Sequence, residues 1–298
     1  MDVGHFHAMY PTAAWRRLSA TCPQGMPTLP TTRRWGLMID VHLHLLPGVD
    51  DGPPDLDTAL ALARECCAAD PSVVVATPHV NDWTRGVLPD AAAVQAQVTR
   101  LQAELHRAGI PLQVLAGGET FLSPDLPRLV REGVVPTIAG THWLLIETPI
   151  DHKPFYLEHV FFELLTMGIT PLLAHPERYA WLHKNPDLLG ELVRRGARAQ
   201  VTAASLTSRR KSPQHALAAT LVQRGFVQVI ATDRHKAGDG SSLRDAVTAA
   251  EALVGEKRAR DLVETHPRLI VDGRPIPVTL EDSAPRGGWV KRWFQRSL

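Results

Sequence analysis

From residue 37 onward, short apolar runs alternate with longer helical patterns, and this alternation limits the fold more than any other feature of the chain. The runs Leu37–Val41, Val73–Ala76, Gln113–Ala116, Trp143–Ile146, Pro171–Ala174, Ala199–Thr202 and Val227–Ala231 read as strands. Between and after them, Leu56–Ala69, Ala91–Ala108, Pro124–Glu132, Pro154–Met167, Pro186–Arg195, Gln214–Arg224, Leu243–Val254 and Glu256–Glu264 read as helices. Asp55 and Asp57 mark the start of the first helix, Asn185-Pro186 opens another, and Gly109, Gly168, Gly196 and Gly225 close four. Strands separated by helices must run parallel, because each helix carries the chain back to the starting edge. The expected fold is therefore α/β, an irregular (β/α)7-type barrel. An open doubly wound sheet is the other arrangement of such units, but no glycine-rich dinucleotide fingerprint comes after the first strand.

The chemistry lies at the strand ends. The first run ends in Asp40-Val41-His42-Leu43-His44, with Asp50-Asp51-Gly52 close behind. The next ends in Thr77-Pro78-His79, the third in Gly117-Gly118-Glu119, the fourth in Glu147, the fifth in His175-Pro176-Glu177-Arg178-Tyr179, and the seventh in Thr232-Asp233-Arg234-His235. Only the sixth ends without an obvious ligand, offering Thr202 and Ser205. In a parallel barrel all strand C-termini open on one face, so residues from 42 to 235 would converge there. A lone histidine or carboxylate at a strand end usually has a structural or capping role. Glu147 is harder to dismiss, because a carboxylate ending a buried apolar run needs a charge partner. Six of seven strands ending in a ligand-capable residue points to a cluster of metal ligands.

The nine candidates are His42, His44, Asp51, His79, Glu119, Glu147, His175, Asp233 and His235. Imidazole and carboxylate without thiolate suits Zn²⁺, Mn²⁺ or Fe²⁺. Nine ligands exceed what one ion takes, so two or three ions sharing carboxylates are expected. His42 and His44, two apart on a strand, should face the same way. The remaining histidines are expected to be bystanders: His106, His152, His159, His183, His215 and His266 on helix or loop surfaces, and His5 and His7 in an unstructured extension. His142, just before the fourth strand, stays open.

Composition narrows the partners. A net charge of +1 gives no basic excess for nucleic acid. Three cysteines, Cys22, Cys66 and Cys67, cannot frame a disulfide scaffold, which fits a reducing cytoplasm. None is followed by arginine at the C-x5-R spacing of thiol-based tyrosine phosphatases. No run reaches the length of a membrane span, and residues 1–36 lack the apolar core of a signal peptide. They read as a disordered or non-native extension, with Met38 a candidate for the natural start. Residues 281–298 form a basic-aromatic tail (Trp289, Lys291, Arg292, Trp293, Phe294, Arg296) suited to peripheral contact with an anionic membrane, although a solvated, frayed end is the simpler expectation.

The motifs Asp40-Val41-His42-Leu43-His44, Pro47-Gly48-Val49-Asp50-Asp51-Gly52-Pro53, Ala76-Thr77-Pro78-His79 and His175-Pro176-Glu177-Arg178-Tyr179 resemble the PHP-domain superfamily. More closely they are similar to the bacterial capsular-polysaccharide tyrosine phosphatases of the CpsB/YwqE type, over about Met38 to Val278. That resemblance implies a PHP-type phosphatase domain over 37–280. It implies a cytoplasmic, Mn²⁺-preferring protein-tyrosine phosphatase with a three-metal site on a distorted barrel. Its partner would be the tyrosine-phosphorylated tail of a bacterial kinase that controls capsule or exopolysaccharide synthesis. It assigns His42, His44, Glu119 and Asp233 to one ion and Glu119, Glu147 and His175 to a second. Asp51, His79 and His235 fall to a third, and Arg178 to the phosphate; apart from the resemblance, His235 and Asp51 are both candidates for protonating the leaving group, and the sequence does not choose between them. Thr232-Asp233-Arg234-His235 departs from the family's usual Ser-Asp-Ala-His. Lys236-Ala237-Gly238-Asp239-Gly240 stands where an Arg-Pro run is common, leaving Arg234, Lys236 or Arg244 to supply that charge. Two other readings remain open: a PHP-type esterase for a small phosphate monoester such as histidinol phosphate or for a nucleic acid end, and a catalytically silent scaffold that binds kinase or metal.

Overall fold

The computed structural model describes residues 37–68, 72–82, 89–208 and 212–277. The expectations for residues 1–36 and for the tail 281–298 lie outside this set. Nine parallel strands appear among the described residues: β1 (Ile39–Leu43), β2 (Val73–Ala76), β3 (His79–Val80), β4 (Gln113–Ala116), β5 (Glu119–Phe121), β6 (Trp143–Glu147), β7 (Thr170–Ala174), β8 (Arg198–Thr202) and β9 (Val229–Ala231). They form two sheets, in the orders β1-β2-β4 and β3-β5-β6-β7-β8-β9.

All seven expected strands are present, and two of them continue after a break as β3 and β5. The second strand stops at Thr77-Pro78, where proline has no N–H for the ladder. The third stops at Gly117-Gly118. A Cβ on Gly117 would lie 2.6 Å from Val75 Cγ1, and one on Gly118 would lie 2.6 Å from Pro136 Cγ, so the backbone passes where only glycine fits. The bonds Gly117 N–H to Ala76 O (2.9 Å) and Glu119 N–H to Pro78 O (3.0 Å) carry the pairing past both breaks. At the other side, Asp233 N–H donates to His42 O (2.8 Å) and His44 N–H to Arg234 O (3.0 Å), joining the ends of β9 and β1. The irregularity of the expected barrel has its origin in these two interruptions.

The strands are held by apolar packing on both sides. Ile39 and Val41, Val73 and Val75, Leu172 and Ala174, and Val229 and Ala231 share one buried cluster, each pair two residues apart as a strand face requires. The intervening Leu144, Ile146, Leu173, Ala199 and Val201 pack outward, under the helices. On β1 the alternation breaks, with a register irregularity against β2 between Asp40 and Leu43. Such bulges re-aim side chains, and His42 and His44 are both fully buried on the ligand side.

The expected helices are present within one to three residues at each end. Glu256–Glu264 instead continues through a wide π turn, Asp261–Thr265, into His266–Val271. Proline at position 267 enters at the first turn of that last helix, where no N–H is needed. Short helices Ala180–Lys184 and Ala203–Thr207 also lie in segments expected to be loops. None of the helices is long and apolar enough to cross a membrane.

Asp40 ties the two ends of the strand series together. Its Oδ1 accepts from Thr232 N–H (3.1 Å) and His42 N–H (3.3 Å), and its Oδ2 from the Thr232 hydroxyl (2.5 Å), all buried. Asp40→Ala strands these donors, so the unfolding free energy measured by urea titration in chelator should fall by about 2–4 kcal/mol. Asp40→Asn, which keeps one acceptor, should fall less. Equal losses would show that the site is held by packing alone.

Candidate metal centre

Every sequence-nominated ligand is at a strand end or the loop beyond it, and all nine are gathered at the same end of the strands. Three groups of their donor atoms lie within 4.8 Å of one another: His42, His44, Glu119, Asp233; His44, Asp51, His79, His235; and His79, Glu119, Glu147. The first matches the expected set. In the second, His44 joins the three expected residues. In the third, His79 stands where His175 was expected, while His175 Nε2 reaches Glu119 Oε1 at 2.6 Å and Glu147 Oε1 at 3.8 Å. The wider sharing reflects ring stacking: His44 and His235 lie face to face, 3.9 Å between centroids.

The first group has the dimensions of a cation site. His42 Nε2 lies 3.3 Å from Glu119 Oε2, 3.2 Å from Asp233 Oδ1 and 3.4 Å from His44 Nε2. His44 Nε2 lies 3.3 Å from Glu119 Oε2 and 3.4 Å from Asp233 Oδ1. Four donors bound tetrahedrally at about 2.0–2.1 Å stand about 3.3–3.4 Å apart. The residues present therefore fit a divalent ion. Glu119 turns Oε2 to this group and Oε1 to His175, the disposition of a bridging carboxylate.

Hydrogen bonds behind the ligands set their tautomers. His42 Nδ1–H donates to Gln200 Oε1 at 3.0 Å, and His44 Nδ1–H to Asp50 Oδ2 at 2.6 Å. Both rings thus present an Nε2 lone pair to the group, the usual outer-shell pattern of metal-binding histidines. Asp50 also accepts from His79 N–H (3.1 Å) and Gly52 N–H (3.0 Å). Its carboxyl is pushed up by burial, but the hydrogen bond and charge of His44 outweigh this and hold it low.

Electrostatics give the same picture. Complete burial disfavours charge on His42, yet Asp233 and Glu119 override it and lift its imidazole to about 9. His44 is raised in the same way against its own burial. Burial opposes charge on Glu119 and Asp233 too, but the facing histidines keep both well below the usual carboxylate range. The cluster is a buried negative site that recruits positive charge. Its backbone is strained: His175 (φ +30°) and Asp233 (φ +54°) adopt left-handed conformations. Each costs on the order of 1–3 kcal/mol and persists at functional sites where the surroundings dictate it.

Arg178, expected at the phosphate, sits at the rim with Nη2 2.5 Å from Asp233 Oδ2, rather than pairing with Glu177 or a helix carboxylate. Arg234 is buried and paired with Glu65 on α1 (Leu56–Ala68), so it braces the loop instead of facing a ligand. Gly238 N–H donates to the same carboxylate at 2.9 Å. Lys236 and Arg244 are exposed. Three bystander histidines are less exposed than expected: His183, His215 and His266 are half-buried, with ring nitrogens bonded to the carbonyls of Glu177, Ser205 and Gln228.

Sequence alone does not single out Asp50, Gln200 or Glu177 as parts of the centre. Gln200 leaves a trace: a polar side chain between Ala199 and Val201 in a buried strand needs a partner.

Metal binding to this set should stabilise the fold. Mn²⁺ at about 100 times its dissociation constant should add about 2.7 kcal/mol, read as a rise in melting temperature that chelator reverses. His42→Ala, which opens the tetrahedral group, should lose most of that rise. A full rise in the variant would mean that the ion binds elsewhere.

A family model for capsular polysaccharide synthesis, CpsB/CapC, matches residues 38–272. The tyrosine-protein phosphatase YwqE of Bacillus subtilis is 35% identical over 198 residues, covering 66% of this chain and 77% of that protein. The tyrosine-protein phosphatase CpsB of Streptococcus pneumoniae is 25% identical over 241 residues, covering 78% and 98%. A crystal structure from work on these two, described as unique metal-dependent tyrosine phosphatases, superposes with a TM-score of 0.78 at 30% identity, covering 81% of this chain and 97% of that one. Matched along nearly all the described residues, the chain belongs to the CpsB/CapC family of capsular polysaccharide synthesis.

Proposed function

We propose that the protein is a metal-dependent protein-tyrosine phosphatase, with two or three divalent ions held by His42, His44, Asp51, His79, Glu119, Glu147, His175, Asp233 and His235. Mn²⁺ is the proposed native ion, with Fe²⁺ or Zn²⁺ compatible with the same donors. The observation that carries the reading is the four-donor group at 3.2–3.4 Å beside a rim arginine. The kinship with phosphatases of the same family supports the substrate class. The proposed partner is the phosphorylated tyrosine tail of a bacterial kinase governing capsule export, met in the cytoplasm.

When bound, the ions supply Lewis-acid charge and activate water at neutral pH. The remaining chemistry belongs to the chain. Arg178 offers a planar fork of donors, of which Asp233 takes one edge and a phosphoryl group the other. Because Asp233 faces the ligand group through Oδ1 and Arg178 through Oδ2, one carboxylate sets the arginine relative to the ions. Glu119 belongs both to that ligand group and, with His79 and Glu147, to a neighbouring one. A tyrosine leaving group departs as phenolate of pKa about 10, so it needs less proton help than an alkoxide. Asp51 and His235, 3.3 Å apart and the more exposed members of the set, are the groups placed to give it.

Arg178→Ala should leave metal content intact and lower kcat/KM on a phosphotyrosine peptide about 100-fold, or about 3 kcal/mol of transition-state stabilisation. Arg178→Lys should recover part of it, since a point charge cannot reproduce the fork. The same assay, run with Mn²⁺ and after chelation, should favour the peptide over histidinol phosphate. Preference for the small ester would replace the tyrosine-phosphatase reading, and near wild-type kinetics in the alanine variant would remove the clamp.

A further inference from the structure

Among the described residues, β8 (Arg198–Thr202) is the expected strand whose end carries none of the nine candidate ligands. Its outward residues Ala199 and Val201 pack into the core under the helices. Its other face carries Gln200 and Thr202, both buried, which is polar spacing no core requires. Each meets the back of the centre. Gln200 Oε1 takes the Nδ1–H of His42 at 3.0 Å. Thr202 N–H and the Thr202 hydroxyl both donate to Glu177 Oε1, at 2.8 and 2.7 Å. Thr202 has one hydroxyl proton and spends it on Glu177, so the Ser205 hydroxyl, 2.8 Å away, must donate to Thr202.

Glu177 is fully buried between His175 and Arg178 in chain order, on a 3-10 turn (Pro176–Arg178) that begins from the left-handed His175. Its backbone carbonyl also accepts from His183 Nε2 at 2.8 Å. The turn is thus pinned on two sides, and its conformation aims His175 at Glu119 and Arg178 at Asp233. A strained turn keeps its geometry only if its surroundings dictate it, and the bonds from Thr202 supply that constraint.

We propose that β8 is the positioning strand of the centre. Gln200 fixes the ring of His42, and Thr202, acting through Glu177, fixes the turn that presents His175 and Arg178. This rests on the metal-dependent reading above, but not on which phosphate ester is hydrolysed. Neither residue touches substrate. The orientation of the Gln200 amide matters: turned over, its NH₂ would face Nδ1 and drive the ring proton to Nε2, removing the lone pair that faces Glu119 and Asp233.

The test uses the full chain stripped of metal and titrated with Mn²⁺ against a competing chelator. Melting temperature in chelator and inhibition by inorganic phosphate are measured in parallel. Gln200→Leu should weaken Mn²⁺ binding about 10–100-fold, the usual cost of losing such a partner, with the metal-free melting temperature kept. Gln200→Glu retains the acceptor and should bind Mn²⁺ within a few-fold of the wild type. Thr202→Val, isosteric but without the hydroxyl, should weaken both Mn²⁺ binding and phosphate inhibition. If Gln200→Leu also melts early, the Gln200→Glu variant decides: restored affinity supports positioning, and unrestored affinity overturns it. Wild-type affinity in Gln200→Leu or Thr202→Val overturns it as well. Absence of saturable Mn²⁺ binding in the wild type would instead remove the metal-dependent reading, and this proposal with it.

Discussion

Four electron-rich atoms held 3.2–3.4 Å apart in a buried space repel one another unless positive charge sits among them, and much of this structure answers to that constraint. His42, His44, Glu119 and Asp233 come from three places in the fold, the end of β1, the junction of β4 and β5 and the loop after β9, separated by up to 191 residues in the chain. Without a cation the histidines take up protons to relieve the repulsion, which is why their imidazoles are raised despite full burial. The fold carries the cost of assembling the group through the buried Asp40–Thr232 clamp, the left-handed His175 and Asp233, and the two chain breaks that bring His79 and Glu119 side by side in β3 and β5. Strain at ligands, compensated by apolar packing below them, is a usual division of labour between a site and its scaffold.

Much of this was legible in the sequence, for a physical reason. A parallel α/β chain exposes its strand C-termini on one face, so ligands can be found by reading one to three residues past each apolar run. His42, His79, Glu119, Glu147, His175 and Asp233 all obey that rule. What failed to show is what depends on distant pairs. Gln200 meets His42 across 158 positions, and no local pattern announces such a bond. Asp50 and Asp51 are neighbours of one residue type, yet Asp50 orients His44 from behind while Asp51 faces the rim with His79 and His235. The strand breaks at Thr77-Pro78 and Gly117-Gly118 were visible as residues but not as breaks, because a short apolar run gives no sign of where pairing resumes. The helix His266–Val271 was hidden by Pro267, which reads as a stop unless it falls in a first turn.

The segment after β9 shows how a buried positive charge is accommodated. Arg234 is buried, and its guanidinium pairs with Glu65 of α1. Glu65 also receives the Gly238 amide, so one carboxylate holds both the arginine and the loop beyond it. Both bonds keep the Glu65 carboxyl below its ordinary range, the Gly238 amide most of all. A buried arginine without such a partner would be untenable, so the arginine and its acidic partner must be read as a unit. The positive charge at position 234 is spent inside the protein and adds nothing to anion recognition.

That leaves Arg178 as the cation best placed at the mouth, and its pairing with Asp233 connects two parts of the site that are usually discussed apart. Asp233 Oδ1 belongs to the four-donor group and Oδ2 to the guanidinium. Burial disfavours charge on Arg178, but Asp233 and then Glu177 and Glu119 more than offset it, so the guanidinium keeps its charge at the rim. A single carboxylate with one oxygen toward the four-donor group and one toward the arginine sets the distance between that group and the guanidinium. The link between the four-donor group and the guanidinium thus arises from a shared carboxylate, which no inspection of the donor list or of the arginine alone would reveal.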